Sequence, residues 1–343
     1  MAENLAGRFV SVSLSFNGKN VDKALRDYIE SVKFTDVSSG SSDQISITLN
    51  DRDLIWLTKW YPTKGDIIRG GVTFERWLKE TENIKVNYGT FIMDSIRFSG
   101  GPTVCEFGGL AIPQDQSFKT RQRTKTWERV TLNQIGSEIA KRYGLSFSYN
   151  AKTVNIESLE QTDKTDSDFL YNTVKDYGLK MKVYNKKIVI FDAGRMEAKA
   201  PVYTIKREDW IDDGWSYDDE LEGTYTGAII KYKSDGKKDE IKVTVGNANE
   251  DSPKARVLYV NTKCDSRAEA IDKASAKVNE ANEGMTKMSG SIWGKPKIAS
   301  GITVKVEGLG VANGKYYIDK VVTSISGGAT KQDVTMHKCY KRL

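Results

Sequence analysis

Histidine, cysteine and proline are scarce in this chain. Its 343 residues include one histidine, three cysteines and six prolines. A catalytic dyad or triad built on an imidazole base has only His337 to use. The cysteines, Cys105, Cys264 and Cys339, are odd in number and form no Cys-x-x-Cys pair, so neither a disulfide framework nor a zinc knuckle is predicted. We expect buried or half-buried free thiols in strands, and neither a metal nor a cofactor.

Long apolar runs are missing as well. No stretch approaches the roughly 20 apolar residues of a membrane-spanning helix, and residues 1–7 lack the pattern of a secretory signal. We therefore expect no membrane anchor, and synthesis in a cytoplasm until release. The net charge of +6 is spread over 52 basic and 46 acidic residues, which is too mild to predict specific nucleic-acid binding.

The hydrophobic pattern divides the chain into three predicted domains, 1–115, 116–195 and 196–343. A length of 343 residues favours two or three domains. In the first domain, residues 9–14, 28–35 and 44–49 alternate with the period of half-buried strands. A short helix capped by Asp51 or Asp53 is predicted before Pro62. Evenly spaced short strands of this kind favour a barrel or sandwich.

The middle domain mixes helices with strands. Thr131 is a predicted cap for a helix that Gly144 ends, and Asp166 or Ser167 begins a second helix that Gly178 ends. An alternating strand follows each helix, and the second of these strands pairs across a turn at 185–187. This order predicts a small α+β domain.

The third domain returns to strands, including 225–233, 240–245 and 257–260, and adds one long amphipathic helix, 266–283. A capping box, Ser266-Arg267-Ala268-Glu269, begins the helix. One helix face carries Ile271, Ala274, Val278 and Ala281. Because most of these side chains are small, they allow close approach to a sheet or to another subunit, and we take them as a candidate subunit interface.

Several short motifs follow one another along nearly the whole chain. They are Trp60–Asp66, Gly89–Asp94, Ser99–Pro102, Lys119–Arg121 with Trp127-Glu128, Thr131-Leu132 with Gly144-Leu145, Asp166–Leu170 and Tyr177–Leu179, followed by the helix-plus-strand ending. In this order they resemble the phage late control gene D protein family, the baseplate hub of contractile tails. Asp166–Leu170 to Tyr177–Leu179 is similar to a segment of the N-terminal part of VgrG spike proteins. The family often has a histidine where Val322-Thr323 stands in this chain.

The resemblance implies a mixed, β-rich fold in which two tail-tube-like β-barrel domains flank a small α+β domain. It implies a non-enzymatic homotrimer that adapts the hexameric tail tube to the central spike. The implied partners are the tail tube protein, the central spike protein, baseplate wedge proteins and the tape-measure protein. Such a protein assembles in the bacterial cytoplasm and ends in the tail baseplate of a phage or a phage-tail-like bacteriocin (tailocin).

Competing functions depend on three charged or reactive groups. The acidic run 212–222 around Trp215 leaves open a cell-wall (peptidoglycan) binding or hydrolysing tail component, against a solvated connection. His337 with Cys339 is either a nucleophilic pair or two side chains of a final strand. The basic run 119–125 is either a phosphate-binding track or a solvated interdomain strand. Residues 308–314, rich in glycine, favour a turn between strands over a phosphate loop.

Overall fold

A computed structural model describes residues 8–21, 25, 27–77, 82–113, 115–232 and 241–343. The strands are β1 Phe9–Phe16, β2 Lys19–Asn20, β3 Ile29–Val37, β4 Gln44–Asn50, β5 Ile67–Glu75, β6 Asn83–Ser99, β7 Val104–Leu110, β8 Gln122–Thr131, β9 Ser146–Asn150, β10 Asn155–Thr165, β11 Lys180–Tyr184, β12 Lys187–Phe191, β13 Tyr203–Lys206, β14 Trp210–Asp219, β15 Gly227–Tyr232, β16 Ile241–Gly246, β17 Val257–Val260, β18 Thr286–Trp293, β19 Thr303–Glu307, β20 Gly314–Ser326 and β21 Ala329–Lys338. The helices are α1 Ser117–Thr120, α2 Leu132–Arg142, α3 Asp166–Asp176, α4 Ala193–Ala198 and α5 Arg267–Glu283. Residues 233 and 240, at the ends of two predicted strands, lie outside the described residues, as do residues 1–7.

The predicted helix ends are confirmed. Thr131 forms a full capping box at the start of α2, and the Thr165 hydroxyl accepts from the Asp168 N–H at the start of α3, one residue before the predicted start. Gly144 and Gly178 follow these helices with φ of +62° and +70°, in the left-handed region that glycine tolerates best. The helices therefore begin and end at local signals that the sequence carries.

The prediction of a helix before Pro62 is wrong. Residues 51–60 form consecutive turns instead. Asp51 does act as a cap, since its carboxylate accepts from the Trp56 N–H at 2.9 Å. Leu54, however, has a φ of +56°, which a right-handed helix excludes. The segment instead packs Trp56 edge-on against Tyr28, at a ring-centroid distance of 5.9 Å.

One large sheet holds strands from both ends of the chain. Its thirteen strands follow the order β14-β18-β21-β20-β3-β4-β7-β6-β5-β1-β2, with β19 beside β20 and β13 beside β19. β20 and β3 join the two regions by antiparallel pairing from Lys320↔Val37 to Ile325↔Val32. The prediction of a β-rich fold is confirmed. In the described residues, however, the strand order is open at β14 and β2, so the two predicted barrels are not separate closed units.

The last hairpin reaches into the core of the first region. Ile325, near the tip of the β20–β21 hairpin, is buried in the same hydrophobic cluster as Phe34, Ile45 and Phe107. At the adjacent turn, the Val10 N–H of β1 donates to the Gly328 carbonyl at 3.1 Å. The sheet thus curls until its first strand approaches the hairpin tip. This interlocking makes the two strand-rich regions one folded body.

The middle region has its own core. Helices α2 and α3 pack on a three-stranded sheet, in which β12 is parallel to β9 and antiparallel to β11, and on the β8–β10 pair. The second hydrophobic cluster, from Phe118 to Ile190, includes no residue of the flanking regions. The predicted α+β character of this region is therefore confirmed.

Two smaller cores complete the third region. One lies under β18, β20 and β21 and includes Trp210, Met288 and Met336. The other lies between the β16-β15-β17 sheet and helix α5. Helix α5 thereby stands between that sheet and the middle region, and the charged residues that hold the regions together collect around it.

Candidate functional site

His337, on β21, has carboxylates on both sides of its ring. Its Nδ1 is 2.8 Å from an Asp319 oxygen and its Nε2 is 3.3 Å from Glu197 Oε1. Burial alone disfavours the imidazolium, but hydrogen bonds to Asp319 and Glu197 outweigh it and raise the pKa of His337 to about 9. Near neutral pH both ring nitrogens therefore donate protons. The ring is a buried cation without the free lone pair that a general base needs.

Cys339 does not supply the other half of a nucleophilic pair. Burial raises the pKa of its thiol to about 12, so the thiol is protonated near neutral pH. Because His337 is itself protonated there, it has no vacant nitrogen to take the thiol proton. The geometry supports the interpretation of these residues as two side chains of a final strand.

A chain of ion pairs extends from His337 across the molecule. Arg342 Nε donates to Glu197 Oε2 at 3.0 Å, and Arg342 Nη2 lies 2.7 Å from Glu283 of α5. Lys180 of β11 then lies 2.6 Å from Glu283. Burial opposes ionisation of Glu197, but hydrogen bonds from His337 and Arg342 outweigh it and lower the pKa of Glu197 to about 2. We call this set, Asp319, His337, Glu197, Arg342, Glu283 and Lys180, the ionic junction.

A second charged cluster ties all three regions together. Lys182 of β11 pairs with Asp36 of β3 and lies 3.1 Å from Asp43. The Ser300 N–H and hydroxyl both donate to Asp36 at 2.7 Å. Burial, opposed by the nearby Lys182, raises the pKa of Asp43 to about 6. Apart from the isolated histidine, no sequence pattern indicates either cluster, because their members are far apart along the chain.

The helix predicted to carry a subunit interface is packed on two sides within the chain. Ala274 and Val278 are fully buried against β15 and β16. Their proposed exposure to a neighbouring subunit is therefore wrong, since the chain's own sheet covers them. Ile271 is 41% exposed and Ala281 is half-buried. For Ile271 and Ala281 the subunit contact stays a prediction.

The other side of α5 meets the middle region. Lys175 Nζ of α3 lies 2.6 Å from Glu280, and the Tyr177 hydroxyl donates to Glu269 at 2.8 Å. A methyl group on Gly178 would come within 2.8 Å of the Ala276 side chain. The close approach to the C-terminal glycine of α3 is thus made by Ala276, which was not among the residues predicted to allow it.

The acidic run lies on β14, an edge strand of the large sheet. Asp212 and Asp213 both have a φ of +53°, which marks a bulge between Trp210 and Trp215 in the pairing with β18. Asp213 pairs with Arg207 at 2.9 Å. The carboxylates are thus spread along a strand. In the described residues no group of three or more His, Cys, Asp or Glu has the arrangement of a metal site. The cell-wall alternative stays a prediction.

The basic run is engaged in contacts within the chain. Arg123 lies 3.1 Å from Asp166, a buried carboxylate at the start of α3, and Lys125 lies 2.6 Å from Glu138. Arg123 and Lys125 belong to β8, which pairs with β10 of the middle region. This arrangement favours a structural strand over a phosphate-binding track, but the strand lies within the middle region and not between domains.

The remaining sequence predictions concern a glycine-rich segment and membrane spans. Gly308 and Gly310 have φ of +85° and +59° in the connection from β19 to β20, which confirms a turn. Among the described residues, no helix has the length and apolar character needed to cross a membrane.

Comparison with known proteins gives one curated relative and several similar folds. No family model matches the sequence. The probable baseplate hub protein of Escherichia phage P2 is 24% identical over 226 residues, which are 64% of this chain and 55% of that protein. The chain thus spans about half the length of this relative.

Solved structures share the fold over nearly the whole chain. The 43 kDa tail protein of prophage MuSo2 from Shewanella oneidensis is 12% identical with a TM-score of 0.72, and the match covers 96% of this chain and 98% of that one. A tail protein from Neisseria meningitidis is 13% identical with a TM-score of 0.71, over 97% of both chains. A type VI secretion component from E. coli is 12% identical with a TM-score of 0.58, over 96% and 77%. The chain is therefore similar in sequence to a phage baseplate hub protein, and it shares its fold with tail proteins and with a type VI secretion component.

Proposed function

We propose that this chain is the structural hub of a contractile-tail baseplate, a homotrimer that adapts the hexameric tail tube to the central spike. The observation that carries the proposal is the curated match to a baseplate hub protein over 64% of the chain. The fold shared with tail proteins over 96–97% of the chain supports it. The tube protein, the spike, the wedge proteins and the tape-measure protein are the proposed partners. The particle is a phage tail or a tailocin, assembled in the bacterial cytoplasm.

The internal architecture supports a mechanical role. The proposed domains, 1–115, 116–195 and 196–343, are held to one another by two largely buried charge clusters and a shared sheet. A part that transmits force between tube and spike needs such connections, because separate domains joined by linkers move independently. In the proposed ring, the first and third domains are the two tube-like units of each chain, so three chains present six units to the tube.

Native mass measured by light scattering tests this proposal. Three copies of the 38.4 kDa chain weigh about 115 kDa. We expect that mass for the purified chain, or for the chain co-expressed with its tail partners after the partners' mass is subtracted. A mass of one chain in both preparations would refute the trimeric hub.

A further inference from the structure

A shallow depression lies on β1, β5 and β6, on the face turned away from the hydrophobic core of the first region, with Gly71 at its centre. Its volume is about 270 Å³. Ser13 of β1 and Asn87 of β6 pair with Gly71 from either side, so the three residues form one row across the strands. Because glycine has no side chain, the row is open in the middle. A glycine inside a strand often marks the close approach of a ligand.

A bulge in β6 adjoins the depression. The pairing of β5 with β6 shifts by one residue between Gly70 and Gly71, which leaves Tyr88 as the extra residue. The Tyr88 ring turns inward and stacks on Phe34, at a centroid distance of 4.1 Å. Asn87 stays on the opposite face and is exposed. The bulge thus keeps the large aromatic ring of Tyr88 out of the depression and places an amide group there.

Two cations stand beside Gly71. Arg69 is two residues before Gly71 on the same face of β5, and Lys85 of β6 is diagonal to Gly71, since it pairs with Thr73. Both cations are exposed and begin within about 8 Å of Gly71, so their long side chains reach a ligand held there. Neither cation forms an ion pair with another described residue. Their charges are therefore available to a ligand.

No carboxylate is among the described residues that line the depression. Glu75, the one acid of β5, lies beyond Thr73 and accepts from the Ser11 hydroxyl at 2.7 Å. A solvated strand face ordinarily mixes charges of both signs. Here two cations stand with hydroxyl and amide groups alone. Such a set matches an oxyanion, which carries negative charge and accepts hydrogen bonds.

We propose that this depression binds a phosphate group, either as inorganic phosphate or as a phosphate monoester. A monoester carries a charge of about −1.5 to −2 near neutral pH, which two cations neutralise. The Arg69 guanidinium suits two phosphate oxygens at once, and the Lys85 ammonium adds a point charge. The Ser13 hydroxyl and the Asn87 amide supply neutral donors. The site lies within the first domain and does not depend on the proposed trimer.

Isothermal titration calorimetry in a low-salt buffer tests the site. Inorganic phosphate and glycerol 3-phosphate are the two titrants that the proposal covers. They distinguish the free ion from the monoester. An oligothymidylate without a terminal phosphate is the third titrant, because it offers phosphodiesters alone, each with a single negative charge. Low salt is needed because dissolved ions screen exposed charges.

The test variant combines Arg69→Gln with Lys85→Gln, which removes both charges from exposed positions. Its matched control combines Arg121→Gln with Lys141→Gln, which removes one arginine and one lysine charge from exposed positions of the middle region. Both variants thus have the same net charge. A melting temperature equal to that of the natural chain shows that each variant folds.

We expect inorganic phosphate, glycerol 3-phosphate or both to bind the natural chain. The test variant is expected to raise the Kd by about tenfold or more, because it loses two charged partners, and the control to leave the Kd unchanged. The absence of binding by both titrants, or equal weakening in the control, would overturn the site. Binding of the oligothymidylate alone would overturn the assignment to a free phosphate or a monoester.

Discussion

Raising the pH from 6.5 to 8.5 is expected to weaken the fold through His337. Burial disfavours its charge, but Asp319 and Glu197 outweigh burial and raise the pKa of His337 to about 9, from 6.5. Because the folded pKa is the higher one, this stabilisation is complete below pH 6.5 and is lost as the pH rises through 9. The difference between the two pKa values corresponds to about 3 kcal/mol. About 2 kcal/mol of it falls between pH 6.5 and 8.5.

Urea unfolding followed by tryptophan fluorescence measures this loss. The free energy of unfolding is compared at pH 6.5, 7.5 and 8.5 for the natural chain and for His337→Gln. We expect the free energy to fall by about 2 kcal/mol in the natural chain and to change far less in the variant. The cysteine thiols titrate mainly above pH 8.5, because burial raises the pKa of Cys105 to about 12 and that of Cys264 to about 11.

A neighbouring substitution provides the control. The ring of Tyr317 lies 5.3 Å from the imidazole, centroid to centroid, so Tyr317→Phe disturbs the same packing without removing the titrating group. This variant is expected to keep the full pH dependence. If His337→Gln showed the same fall as the natural chain, or if the natural chain showed none, the assignment of His337 as a buried cation would be refuted.

Three further substitutions have expected outcomes that melting curves measure. Asp166→Ala removes a fully buried carboxylate that pairs with cationic side chains, and is expected to cost about 3–5 kcal/mol; a loss below 1 kcal/mol would contradict that role. Gly70→Ala places a methyl group 2.5 Å from the buried ring of Phe34 and is expected to lower the free energy of unfolding by about 1–3 kcal/mol. Gly100→Ala is the control, because its methyl group would meet no atom within 4 Å. Ala274→Glu is expected to disrupt the chain's own core, while Ile271→Glu leaves monomer stability unchanged; equal melting temperatures would refute the placement of α5.

Burial of Ala274 and Val278 changes how interface variants are interpreted. A charge at either position destabilises the monomer, because the side chain enters the core beneath β15 and β16. Lost assembly in such a variant would therefore not identify a subunit contact. A charge at the exposed Ile271 separates assembly from folding, because this side chain lies outside the core of the monomer.

The sequence by itself determined the local elements. Thr131 and Ser266 cap their helices, Gly144 ends one, and the turn after Tyr184 joins two strands with Asn185 at a φ of +43°. These signals act within a few residues, so the sequence alone carries them. Local signals did not predict the segment before Pro62 correctly. Asp51 caps this segment, but Leu54 has a left-handed backbone conformation and Trp56 packs into the core, so no helix forms.

Only the tertiary structure decided which elements meet. An alternating strand fits any open edge of matching face, so nothing in the sequence pattern pairs β20 with β3 rather than with another strand. The same holds for His337, whose partner Glu197 is 140 residues away. A helix face of small residues can pack on a sheet of its own chain or on a neighbouring subunit. In this fold, Ala274 packs on the chain's own sheet. Caps and periodicity operate along the chain, whereas pairing, burial and charge neutralisation depend on distances that exist only after folding.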